Sequence, residues 1–170
     1  MLSPRPSTLD RAAFVEAYGG IYEHSPWVAA AVFDGGLGAG DDDAGVLAGR
    51  MAQVVDAADD DAKLALLRAH PELAGRLAMS GELTADSTSE QASAGLDRCT
   101  PEEFAEFHEL NERYTARFGF PFIIAVRGLS RQDILSAFRI RADNDRETEF
   151  ATALQQVHRI ARLRLGAMDV

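Results

Sequence analysis

The 170-residue chain has one cysteine, Cys99, and one lysine, Lys63. A single cysteine excludes an intrachain disulfide and any zinc site built from several thiolates. Cys99 therefore reads as a small buried or half-buried thiol in a reducing compartment. No apolar run approaches the roughly 18 residues of a membrane span. The opening MLSPRPSTLD has no hydrophobic signal core, and the closing AMDV is not a peroxisomal address. These absences lead to the expectation of a cytoplasmic protein. Nucleophile elbows, phosphate loops and paired metal motifs are also missing. The net charge of −10 disfavours nonspecific binding to nucleic acid or to an anionic membrane. The near-total use of Arg over Lys is coding bias before it is function.

What remains is an ordinary soluble composition, 46% hydrophobic and 26% charged, at a length that suits one domain with a real core. Helix signals dominate. STLDRAAFVEAY places Phe14, Val15 and Tyr18 on one face. SPWVAAAVF offers Ser25 as N-cap and Pro26 at the first helical position. Gly35 to Asp43 reads as a flexible acidic loop, followed by a helix over about 44–58. DDDAKLALLRAH ends near His70, because Pro71 disfavours helix in the residue before it. Pro71 can open a short helix through PELAGRLA. Ser87 and Glu90 have capping-box spacing for a further helix, and Thr100, Pro101 and Glu103 open another. Phe104, Phe107, Leu110, Asn111 and Tyr114 follow at three-four spacing, so that helix packs one face. SRQDILSAFRIRA is one helix, and the last runs from about Arg146 to Leu165. The class expected is all-α: a single-domain bundle of about eight helices in residues 1–170, with loose ends at 1–8 and 166–170. One short extended segment interrupts it near Phe120–Val126.

Few side chains stand out as chemistry. The acidic runs 41–43 and 59–61 lack the alternating ligands and turn glycine of a calcium loop and read as a solvated loop and a helix start. HELNE, His108 to Glu112, has a His and a Glu on one face but lacks the second His of a zinc-protease helix. The surrounding glutamates, Glu102 to Glu112, read as a wet face. His158 reads as a partly exposed helix residue. His70 lies at a helix end, where it can be structural or can point into a cleft. Glu90 can be a cap or a catalyst. The residues alone rank these as candidates and go no further.

Several stretches together resemble one family: EHSPW (23–27), HPELAGR (70–76), STSEQASAGL (87–96), LNERYTARFGFPFIIAVRG (110–128) and RIARLRL (159–165). In this order they are similar to 2-oxo-4-hydroxy-4-carboxy-5-ureidoimidazoline (OHCU) decarboxylases of urate degradation, from about Leu9 to Leu165. The resemblance implies an all-helical, cofactor-free lyase without a metal, commonly a homodimer, that converts OHCU to (S)-allantoin. It implies His70 as catalytic acid/base, Glu90 as its polar partner and Arg164 as a cationic group. Pro71, Ser87, Glu90, Gln91, Phe122, Ile123, Ile124, Ala125 and Val126 would line the substrate. The FGFPFI stretch then has a purpose: Gly119 and Pro121 stop a helix, Phe120 and Phe122 can wall a flat heterocycle, and extended backbone at 122–126 offers N–H and C=O groups to a urea-rich ligand. Two alternatives remain open. One is a divergent decarboxylase of a related ureido or imidazolinone acid; the other is a non-catalytic helical partner of purine-degrading enzymes.

Overall fold

The computed structural model describes residues 1–170, apart from the side chains of Arg76 and Leu77. The end of the HPELAGR motif therefore lies outside the described side chains. Among the described residues the chain is all-α, with nine α-helices, three short 3-10 turns and no strand. None of the helices is long and apolar enough to cross a membrane. Contacts divide the chain into two compact units: residues 1–69 with 157–170, and residues 70–156.

The first unit contains α1 (Arg11–Tyr18), α2 (Trp27–Asp34), α3 (Ala44–Asp56) and α4 (Asp60–Arg68). Aspartates start three of them. Asp10 accepts from the Ala13 N–H, Asp43 from Gly45 and Val46, and Asp59 from Ala62. Each such cap contributes about 1 kcal/mol. Phe14, Val32, Leu47, Met51, Val55, Leu66 and Leu67 are buried, each worth roughly 1.5–3 kcal/mol of apolar burial.

Two expectations fail here. Helix α2 starts at Trp27, not Pro26, and Ser25 caps nothing: its hydroxyl donates to the Glu23 carbonyl. Nor is 35–43 a loose acidic loop. It contains a 3-10 turn, Ala39–Asp42, and two buried aspartates. Asp41 accepts from Arg50 at 2.8 Å, and Asp42 accepts from the N–H and hydroxyl of Ser7. Partners distant in sequence order the segment. At the chain ends, Leu2 is buried and bridges to Asp169.

The second unit contains α5 (Arg76–Ser80), α6 (Ala85–Ser93), α7 (Pro101–Phe118), α8 (Arg131–Arg141) and the first half of α9 (Arg146–Ala167). Thr100 and Glu103 form the expected capping box on α7. Its inner face carries Phe107, Leu110, Asn111, Tyr114 and Phe118, all buried. Gly119 ends α7 at φ +79, a left-handed conformation that costs a glycine nothing.

Helix α5 does not begin at Pro71: residues 71–75 form a non-helical turn with Ala74 at φ +50. Ser87 is not a cap either. Thr84 caps α6, its hydroxyl accepting from the Ser87 N–H at 3.2 Å. Both residues have cap chemistry, and the one nearer the N-terminus takes the role, which leaves Ser87 inside the helix.

Candidate active site

The extended segment is held by the second unit's most polar core cluster. Residues 121–126 adopt no helix, so their backbone groups must find partners elsewhere. Arg141, near the end of α8, donates 2.7 Å to the Ile123 carbonyl. Its guanidinium stacks 4.4 Å over the Phe122 ring and pairs with the fully buried Glu149 at 3.0 Å. Glu149 also accepts from the Tyr114 hydroxyl and from the Asn144 amide. Burial, and then the Glu149 carboxylate, push the Tyr114 phenol up, so it stays a donor. The other face of Phe122 stacks on Phe138, centroids 3.9 Å apart and 9° from parallel.

This geometry changes what the segment can offer. Both faces of Phe122 are covered, so its ring does not wall a ligand. Phe120 is buried among Tyr114, Phe118 and Phe150. Backbone groups expected to serve a ligand are engaged: the Ile123 carbonyl by Arg141, and the Ala125 N–H by the Gln156 side chain at 3.0 Å. The Val126 carbonyl accepts from Leu129. Ile124 alone between Phe122 and Val126 is only half-buried.

His70 is 8% exposed, two residues beyond the end of α4, and begins the non-helical turn. Two amides grip that turn. Gln91 Oε1 accepts from the Ala74 N–H at 3.0 Å and its Nε2 donates to the Glu72 carbonyl at 3.3 Å. Asn111 on α7 donates 3.0 Å to the Leu73 carbonyl. On α6 and at its C-cap, Ser87, Gln91 and Ala94 are buried and Glu90 is half-buried. Their spacing puts all four on one face. Gln91 therefore ties the turn after His70 to the helix that carries Glu90. A cavity of about 490 Å³ adjoins this clamp, lined by Ala74 and Gln91 together with Thr88, Ala92, Leu96 and Phe104 among others. It touches neither His70 nor Glu90.

The sequence-expected residues are divided between the units. His70, Pro71, Ser87, Glu90, Gln91 and 122–126 belong to the second, and Arg164 to the first. Within the first unit, Arg164 pairs with the buried Glu23 at 2.8 Å and donates to the Gly20 carbonyl at 3.1 Å. Glu23 had no role assigned from sequence, although it opens the EHSPW stretch. Arg141, Glu149, Tyr114 and Asn111 were missed as well. The available signal was weak: an Asn at a core-facing helix position, and an Arg at a spacing that continues α8's inner row.

His108 and His158, set aside as exposed and partly exposed helix residues, are found so. His108 and Glu112 are exposed and 3.4 Å apart. No group of three potential metal ligands occurs among the described residues. Cys99 is half-buried, and burial raises its thiol pKa. His158 is partly exposed on α9, as expected, and hydrogen-bonds at both ring nitrogens, with the Tyr22 hydroxyl at 2.8 Å and the Asp56 carboxylate at 2.9 Å. It ties α9 to α3 within the first unit.

The family model described as "OHCU decarboxylase" matches residues 7–166. The chain belongs to the OHCU decarboxylase family. It is 44% identical over 158 residues to the 2-oxo-4-hydroxy-4-carboxy-5-ureidoimidazoline decarboxylase of Haloferax volcanii, covering 93% of this chain and 90% of that one. It is 41% identical over 160 residues to the "Uric acid degradation bifunctional protein PucL" of Bacillus subtilis, covering 93% of this chain and 31% of that protein. Among solved structures it is similar to "(S)-allantoin synthase", with a TM-score of 0.75 and 32% identity, covering 96% of this chain and 52% of that chain. The family match includes His70, Glu90, Arg164 and the 122–126 segment. The clamp on the His70 turn and the Arg141–Glu149 cluster are thus features of an OHCU decarboxylase family member.

Proposed function

We propose that the protein decarboxylates OHCU to (S)-allantoin in urate degradation, without a cofactor, as a cytoplasmic homodimer. The observation that carries this reading is the family match across residues 7–166, which contains every motif of the candidate set. The substrate's own structure makes the chemistry accessible. The carbon that bears the carboxylate also bears a hydroxyl and adjoins a C=N bond. When the carbon–carboxylate bond breaks, its electron pair forms a double bond to the neighbouring carbon. The C=N pair moves onto nitrogen, which takes a proton. The hydroxyl proton then leaves as the carbonyl forms, and the ureido-bearing carbon is protonated. The sum is OHCU anion plus one proton giving allantoin and CO2.

His70 handles the hydroxyl proton, a role suited to a group with a reference pKa of about 6.5. Glu90 hydrogen-bonds substrate N–H or hydroxyl groups and orients His70. Arg164 contacts a carbonyl oxygen or the developing enolate. A clamp on the departing carboxylate would favour the ground state, which carries that charge, over the transition state, which is losing it. The Glu23 pair suits this role, because it holds the guanidinium in one orientation.

The test is OHCU consumption followed by ultraviolet absorbance and circular dichroism. The substrate is generated in place from urate with urate oxidase and hydroxyisourate hydrolase. Wild type is expected to give optically active allantoin, and His70→Ala to lose about 10²–10⁴-fold in rate. Decay at the spontaneous rate to racemic product with wild type would refute the activity. Sedimentation of the purified protein as a monomer would refute the dimer.

A further inference from the structure

We propose that Asn111 is a positioning residue for His70, acting through the Leu73 carbonyl. The inference rests on the reading of His70 as the catalytic acid/base. Asn111 sits in the apolar row of α7 between Phe107, Leu110, Tyr114 and Phe118, and is 2% exposed. Its Nδ2 donates to the Leu73 carbonyl, while its Oδ1 is buried without a hydrogen-bond partner among the described residues. A leucine would fill the same space without stranding a polar atom. An amide there that makes one of its four possible hydrogen bonds is there for that bond.

That bond falls where the backbone needs support. Ala74 is held at φ +50, a conformation that a residue with a Cβ keeps only when its surroundings over-determine it. At Gly75 an added Cβ would meet the Glu72 Cβ at 2.7 Å, so the chain is tightly folded there. Gln91 fixes residues 72 and 74, and Asn111 fixes the residue between them. His70 is three residues from the Leu73 carbonyl, so rotation in the turn carries the imidazole with it.

Helix α7 also spaces two parts of the site. Asn111 holds the His70 turn. Tyr114, one helical turn on, donates to Glu149 in the cluster that holds Ile123. The same rigid face thereby sets the turn and the extended segment against each other.

The test is a kinetic double-mutant cycle of Asn111→Leu with His70→Ala, assayed on OHCU as above. In the wild-type background Asn111→Leu should lower kcat about 10–100-fold with little change in KM, the scale of an ångström-level misplacement. In the His70→Ala background it should leave the residual rate unchanged, which a general loosening of the fold would not do. Activity within twofold of wild type, or an equal loss in both backgrounds, would overturn the proposal. If Asn111→Leu does not fold, Asn111→Ser, too short to reach Leu73, decides by the same criteria. Wild type that leaves OHCU at its spontaneous rate overturns the functional reading and this inference together. An active wild type with an unaffected Asn111 variant overturns the inference alone.

Discussion

Arg141→Met and Glu149→Gln, made singly and together, measure what the buried cluster behind the extended segment contributes. Glu149 is fully buried, and Arg141 pairs with it at 3.0 Å. Removing either partner leaves a charge without its counterion in a dry interior, which costs about 3–5 kcal/mol. Arg141→Met also removes the donor to the Ile123 carbonyl, an orphaned group worth about 1–3 kcal/mol. It is therefore the more damaging change. Glu149→Gln keeps an acceptor for the Tyr114 hydroxyl and falls near the lower figure. The double variant has no unpaired charge, so its cost stays close to that of Arg141→Met alone. The coupling is then about 2–3 kcal/mol, within the range of contacting residues. The assay is urea unfolding followed by far-ultraviolet circular dichroism. With an m-value of about 2 kcal/mol/M, Glu149→Gln lowers the midpoint by about 1.5 M and Arg141→Met by about 2–4 M, without changing m. Additive losses, with coupling below about 0.5 kcal/mol, would show that the pair is not a unit and that this account of the segment is wrong.

Three further outcomes are expected. Glu23→Gln leaves the buried Arg164 guanidinium without its counterion, so a loss of about 3 kcal/mol in thermal or urea stability is expected; a change under 0.5 kcal/mol would deny the pair a structural role. Gly119→Ala, at φ +79, should destabilise by about 1 kcal/mol, and a neutral result in the same unfolding assay would remove the case for glycine as the stop of α7. The Glu103 carboxyl is held below its usual range by the Thr100 N–H and then by Arg131. A lowered folded-state pKa adds stability that is present above the unfolded value of about 4.3 and is lost as pH falls through the folded one. The gap between wild type and Glu103→Gln should therefore be open at pH 6–8 and close towards pH 3; a gap constant with pH would contradict this.

Much of the architecture was legible in the chain, because helix formation is written in local spacing. The row Phe107, Leu110, Tyr114 needs only a 3.6-residue period to be read as one buried face. Thr100, Pro101 and Glu103 announce the start of α7 within four residues, and Gly119 with Pro121 announces its end. The break after His70 follows from Pro71 in the same way. Local signals were ambiguous where two residues had the same chemistry: Thr84 and Ser87 can each cap, and the hydroxyl three positions earlier took α6.

The partners that hold the site have no local signature. Glu23 and Arg164 are 141 positions apart and meet only once the first unit has folded. Arg141 reaches back 18 residues to the Ile123 carbonyl, and Asn111 reaches 38 residues to Leu73. Each reads along the chain as an ordinary helical residue, and sequence periodicity says which face it occupies but not what lies opposite. The sequence by itself determined most of the helices, the capping box of α7 and the identity of the family through its motifs. Only the tertiary structure decided that Phe122 is sandwiched rather than exposed, that three of the segment's backbone groups are taken, and that an asparagine and a glutamine shape the turn after the histidine. The physical reason is that a helix is stabilised within one turn of chain, whereas a buried polar group takes whatever partner packing brings within about 3 Å.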